Sequence, residues 1–107
     1  MTTFDKREEA FEKKFVVDEE LKFKAEARRN RLTGLWAAAK LGLSGEDAAL
    51  YSREIVAAEF NEGGDAAVIA KLMSDLTGKG IAITEADIRN QMGEFLVHAI
   101  AQVKAGI

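Results

Sequence analysis

The 107-residue chain has no proline, no cysteine, and only one residue each of histidine, tryptophan and tyrosine. Without proline it lacks the residue that most strongly interrupts a helix. With 48% apolar residues, many of them alanine, it reads as long uninterrupted helices and not as turn-rich β structure. The absence of cysteine removes disulfides and thiolate metal sites, and a single histidine leaves no zinc or iron constellation. No apolar run approaches the roughly eighteen residues of a membrane span, and an acid-containing N-terminus matches neither a secretory signal nor a transit peptide. The expectation is a soluble, cytoplasmic protein, one domain by length.

A clear basic excess is also missing. The net charge is -3, and the first 31 residues hold 17 of the 33 charged side chains, nine basic and eight acidic. Nucleic-acid binders present a basic, aromatic-interleaved surface, so this balance argues against that class. Basic density peaks at Arg28, Arg29 and Arg31, which point in successive directions around one helix. Some are expected to hold carboxylates of neighbouring helices and others to face a partner, with the structural role favoured.

What the sequence does contain is an aromatic stripe in a charged segment. In MTTFDKREEAFEKKFVV, Phe4, Phe11 and Phe15 are spaced i, i+7 and i+11, which at about 100° per residue brings them within roughly 40° of one another. Such a stripe is costly to leave in water and needs a cover, either the protein's own core or another molecule. The next stripe, Leu21, Ala25, Leu32, Leu35, Trp36 and Ala39, points about a quarter turn away. Between them Val16-Val17-Asp18 joins two β-branched residues to a potential N-cap. The reading is an all-α chain: a flexible or weakly docked N-terminal helical arm over 1–17 and a four-helix bundle over 18–107. An isolated arm of about fourteen residues is marginal as a helix and is expected to fray and to refold on docking.

The bundle is punctuated by caps. A first helix runs from about Asp18 to Leu41, closed by Gly42. Ser44-Gly45-Glu46-Asp47 opens a second, carrying Ala49, Leu50, Tyr51, Ile55, Val56 and Phe60 and ending between Asn61 and Gly64. Asp65 caps a third, with Ile69, Leu72, Met73 and Leu76 inward and Gly78-Lys79-Gly80 at its end. Thr84-Glu85-Ala86-Asp87 opens the last, with Ile83 and Ile88 as a hydrophobic staple and Met92, Phe95, Leu96, Ala99, Ile100 and Val103 on its buried face. Short connections between four helices predict antiparallel packing. Glu9 with Lys13, Asp18 with Lys22 and Glu20 with Lys24 are favourable i, i+4 pairs.

Catalytic chemistry is poorly represented. His98 falls at the border of the last apolar face, a place for a boundary residue. The acids Glu8, Glu9 and Glu12 and the run Asp18-Glu19-Glu20 are interspersed with lysines and read as solvated faces. Leu76-Thr77-Gly78-Lys79-Gly80 lacks the rest of a phosphate loop and reads as a helix terminus. Trp36 reads as a core anchor. The chain is therefore expected not to be an enzyme and to need no cofactor or metal.

Several segments resemble the alphaproteobacterial F-type ATPase inhibitor zeta subunit family. They are Thr3-Phe4-Asp5, Arg7-Glu8 and Phe11-Glu12-Lys13-Lys14-Phe15, then Asp18-Glu19-Glu20-Leu21 and Lys24-Ala25-Glu26-Ala27-Arg28-Arg29-Asn30, and finally Gly34-Leu35-Trp36-Ala37-Ala38 and Leu41-Gly42-Leu43-Ser44-Gly45. The resemblance implies a four-helix protein that binds the F1 head of ATP synthase at the cytoplasmic face of the inner membrane and restrains ATP hydrolysis. Its arm would enter an interface between the α and β subunits near γ. Carried over residue by residue, the implied contacts are Phe4, Asp5, Arg7, Glu8, Phe11, Lys14 and Phe15. Where the family commonly has Ala-His, this chain has Val16-Val17, so a protonation switch there would be absent. A second reading from a different class is a small-molecule or nucleotide-sensing bundle with a pocket between its helices.

Overall fold

The computed structural model describes residues 19–107, which form four helices: α1 (Glu19–Lys40), α2 (Gly45–Ala58), α3 (Asp65–Gly78) and α4 (Glu85–Lys104). No strand occurs among the described residues. The all-α four-helix architecture read from the sequence is the architecture observed.

The helix ends are chemically specified. After α1, Leu43 N–H donates to Ala38 O (2.9 Å) and Gly42 N–H to Ala39 O (3.1 Å), a paired closure that places Gly42 at φ 79°. The same closure recurs after α3, from Ile81 N–H to Leu76 O (3.0 Å) and from Gly80 N–H to Thr77 O (2.9 Å), with Gly80 at φ 82°. Glycine adopts this left-handed conformation without a Cβ penalty. At the start of α4, Asp87 N–H donates to Thr84 Oγ1 (3.1 Å) while Thr84 N–H donates to Asp87 Oδ2 (3.0 Å), the reciprocal capping box expected there. Two other caps differ from expectation. Ser44 takes the N-cap position of α2 without a side-chain cap bond, and the N-cap of α3 is Gly64, because the Asp65 carboxylate is occupied by Arg29.

Packing follows an up-down-up-down ring. α1 lies along both α2 and α4, α3 touches its two neighbours and only a short part of α1, and α2 and α4 do not meet. Paired residues fix the directions. Arg31 and Gly34 meet Ser52, and Asn30 meets Glu59, so α1 and α2 are antiparallel. Arg28 Nη1 reaches Gln102 Oε1 at 3.5 Å while Trp36 and Lys40 line a groove with Asp87 and Gln91, so α4 also runs against α1. The α2–α3 hairpin is tied by Tyr51 to Asp75 (2.8 Å) and by Lys71 to Glu54 (3.6 Å).

The core is built from Tyr51, Ile55, Val68, Ile69, Leu72, Leu76, Ile88 and Met92, with Trp36, Met73 and Ile83 packed against it. Most of the apolar bulk comes from α2, α3 and α4. The contribution of α1 departs from the expected stripe: its buried residues are Ala25, Arg29, Asn30, Thr33, Gly34, Ala37 and Ala38. Ala39 is exposed, Leu35 is 38% exposed, and Leu21, Leu32 and Trp36 are only half-buried. The reason is close approach. A Cβ on Gly34 would lie 2.7 Å from Ser52 Cα, so large side chains are excluded from the seam between α1 and α2. Polar atoms in that seam are satisfied locally, Thr33 Oγ1 donating to Arg29 O (2.8 Å) and Ser52 Oγ to Arg31 O (2.9 Å).

Candidate functional site

The residues implied as partner contacts, Phe4, Asp5, Arg7, Glu8, Phe11, Lys14 and Phe15, lie outside the described residues, as do Val16, Val17 and Asp18. The structure instead shows the end of the bundle to which that segment is attached. α1 begins at Glu19, and its first turns project past the main core, carrying Glu19, Glu20, Lys22, Phe23 and Lys24 exposed. An ion pair between Lys24 and Glu20 at 3.2 Å spans the first of these turns. It is one of the pairs expected from spacing.

Behind this end sits a polar lock. Arg29, a buried side chain, sends Nη2 to Asp65 Oδ1 at 2.7 Å and Nη1 to Asp65 Oδ2 at 3.4 Å, with Glu59 Oε2 at 3.7 Å and Asn30 Oδ1 accepting from Nε at 3.1 Å. Asn30 Nδ2 in turn donates to Glu59 Oε2 at 3.3 Å. Burial, followed by a hydrogen bond to Asp65, raises the Glu59 carboxyl above its ordinary value. Burial acts on Asp65 in the same upward sense, but the bonds from Glu59 and Arg29 outweigh it and hold Asp65 below the usual carboxylate range. The lock joins the start of α3 and the end of α2 to the middle of α1. Of the three arginines, Arg29 holds carboxylates of its neighbours, Arg28 reaches Gln102 of α4, and Arg31 is exposed.

Two exposed phenylalanines border the lock. Phe23 and Phe60 are 59% and 69% exposed, with ring centroids 6.3 Å apart and planes tilted by 50°. Beneath them Ala27, Asn30 and Val56 form a crevice of about 30 Å³ bordered by Glu26 and Glu59. On the other side of Phe23 a groove of about 460 Å³ runs between Lys24, Arg28 and Arg31 of α1 and Val103 and Ile107 after it in the chain. Phe60 is a correction to the sequence reading, which placed it within the second helix; α2 ends at Ala58, two residues short of it. Leu50, on α2 itself, is 53% exposed. Phe23 belonged to neither stripe and was missed. Its signal was the stripe phase itself, since a phenylalanine outside the buried face of an amphipathic helix is an exposed one.

The remaining candidates resolve into structure. The amides around Gly78-Lys79-Gly80 are spent on the α3 closure, so this turn offers no free cradle of N–H groups to a phosphate. His98 is exposed on α4. Among the described residues there is no group of histidine and acidic side chains that could hold a metal ion, and no helix long and apolar enough to cross a membrane.

Comparison with known proteins completes the picture. A solution NMR structure of a protein 42% identical to this chain superimposes with a TM-score of 0.70, over 81% of this chain and 99% of the other. No curated protein gives a match. The family model described as ATPase inhibitor subunit zeta matches residues 1–102, the charged aromatic segment as well as nearly all of the bundle, and the chain belongs to that family.

Proposed function

We propose that this protein restrains ATP hydrolysis by the F1 head of F-type ATP synthase, with residues 1–17 as the inhibitory element and 18–107 as the folded body that anchors it. The observation that carries the reading is the match of an ATPase-inhibitor family to residues 1–102, which joins the aromatic arm and the bundle in one unit. The segment enters an interface between α and β subunits near γ and obstructs rotation in the hydrolytic direction. The action is steric and involves no turnover. It takes place in the cytoplasm, at the inner face of the membrane that holds the synthase.

A helix-in-groove mode suits the residues. Phe4, Phe11 and Phe15 supply one apolar face, and Asp5, Arg7, Glu8 and Lys14 flank it with charge. An arm that orders on binding loses several kcal/mol to conformational entropy, so the affinity comes from a few buried aromatic anchors. The experiment is ATP hydrolysis by the cognate F1 with the full chain and with a chain beginning at Asp18, both checked for helical folding. Inhibition by the full chain alone supports the reading. Equal inhibition by the shorter chain overturns the role of the arm, and inhibition by neither overturns the function.

A further inference from the structure

The exposed edge formed by Phe23 and Phe60 lies within reach of the segment that precedes α1. Phe23 is one helical turn past Glu19, about 6 Å along the axis. Phe15 is four residues before Glu19, a reach of about 13 Å for extended chain. A reversal at Val16-Val17-Asp18 has the length of an ordinary connection between antiparallel helices.

Charge supplies the orientation. On α1 the surface around Phe23 and Ala27 is divided: Glu26 borders the crevice toward α2, with Glu59 behind it, whereas Lys24, Arg28 and Arg31 border the groove toward α4. With α1 running upward and viewed from outside, the acidic side is on the left and the basic side on the right. The arm is divided in the same way when wound as a helix. At about 100° per residue, Glu8, Glu12, Asp5 and Glu9 fall on one side of the phenylalanine stripe and Arg7 and Lys14 on the other. Laid with its phenylalanines down and antiparallel to α1, the arm puts its acids over Lys24, Arg28 and Arg31 and its bases over Glu26. Laid parallel, it sets like charges on like. The antiparallel direction is also the one a short reversal produces.

We propose that in the free protein the arm folds back as a helix antiparallel to α1, seating Phe11 and Phe15 on the Phe23–Phe60 edge with Glu8 and Glu12 along the basic groove. This sheltered position covers Phe23 and Phe60, which the bundle leaves in solvent, and two of the three phenylalanines that the arm would otherwise expose. The docking stands independently of what the arm does to an ATPase. If the arm is the inhibitory element, the docked state competes with insertion into F1.

The test exploits the absence of cysteine. Lys6→Cys in the full chain carries one nitroxide label on the side of the arm helix turned away from the phenylalanines. Paramagnetic broadening of bundle amides is then read by NMR. The docked arm broadens Arg28 to Leu35 of α1 and the last residues of α4. Broadening should be lost in the label-bearing chain with Phe23→Ser and Phe60→Ser, and lost with Lys24→Glu and Arg31→Glu but regained when Glu8→Lys and Glu12→Lys are added. Broadening confined to the first turn of α1, or spread evenly over the bundle, overturns the proposal. So does broadening of equal size between labelled and unlabelled molecules in a mixture, which assigns the surface to a second copy. Loss of ATPase inhibition with intact intramolecular broadening removes the proposed function and leaves the docking standing. Inhibition without broadening does the reverse.

Discussion

The guanidinium of Arg29 and the carboxylate of Asp65, thirty-six positions apart in sequence, meet at 2.7 Å and fasten the first turn of α3 to the middle of α1. The arginine side chain is 6% exposed and the aspartate 52%, so the contact is half interior and half surface. Glu59 adds a second carboxylate to the same guanidinium at 3.7 Å. The body of the protein is thus closed, at the end nearest α1's start, by a polar cluster instead of an apolar plug.

Removing Asp65 should be costly and removing the charge of Glu59 should not. Asp65→Ala leaves the buried guanidinium with Asn30 Oδ1 and the more distant Glu59, and the expected loss is about 2 kcal/mol, below the 3–5 kcal/mol of a fully buried pair because Asp65 is partly solvated. Glu59→Gln keeps hydrogen-bonding atoms and removes a carboxyl whose ionisation is disfavoured in the fold, so stability at neutral pH should hold or rise. Urea denaturation of the two variants at pH 7 checks the contrast.

The pH dependence of the lock has a definite sign. The folded-state pKa of Asp65 lies below its ordinary 3.8, so its stabilisation is fully present above that value and disappears as pH falls through the lower folded pKa. The stability difference between wild type and Asp65→Ala should shrink as pH falls below about 4. A difference that grows as pH falls below about 4 would contradict the assigned shift of Asp65.

Two glycines in helices should respond oppositely to alanine. Gly34→Ala brings a methyl to 2.7 Å from the Ser52 backbone and forces α1 and α2 apart, with an expected loss of about 1–3 kcal/mol. Gly93→Ala, with nothing within 4 Å of the new Cβ, removes a helix-weakening residue and should gain up to about 1 kcal/mol. Thermal unfolding of both variants reads the difference as midpoints displaced to opposite sides of the wild type.

At the start of α4, Thr84→Ala should cost about 1 kcal/mol by releasing the Asp87 amide. The Asp87 carboxyl is held low by the Thr84 backbone amide and then by its hydroxyl, so the reciprocal bond is also lost on acidification. Hydrogen exchange of the Asp87 amide, protected in wild type and fast in the variant, reports this end directly.

Much of this fold was written in residues whose chemistry is local. Thr84 with Asp87, Gly42 and Gly80 mark helix ends by bonds made within a few positions, and Ile69, Leu72, Leu76, Ile88 and Met92 keep helical spacing on faces that are buried. The inner face of α1 was not legible, because the residues that fill it are Asn30, Thr33, Gly34 and alanines, while the larger Leu35 and Trp36 lie beside them at the rim. Hydrophobicity ranks size and polarity; a close helix–helix seam selects for smallness and local hydrogen bonds. Phe60 was misplaced for a simpler reason, since α2 stops at Ala58 and the chain turns before the stripe is complete. Residues 4–15 carry an aromatic pattern in the sequence and Phe23 stands out by falling outside the stripe, whereas the pairing of Phe23 with Phe60 needs the fold that brings α1 and the end of α2 together.

The proposed inhibition of an F1 ATPase by the aromatic face of the arm is tested by comparing wild type with Phe4→Ala, Phe11→Ala and Phe15→Ala combined in the full chain. Hydrolysis by the cognate F1 should fall with wild type. The triple variant, with an unchanged helical signal, should require at least about 30-fold more protein for the same effect, the equivalent of losing about 2 kcal/mol of anchor energy. Inhibition by the triple variant at the wild-type concentration would contradict the account.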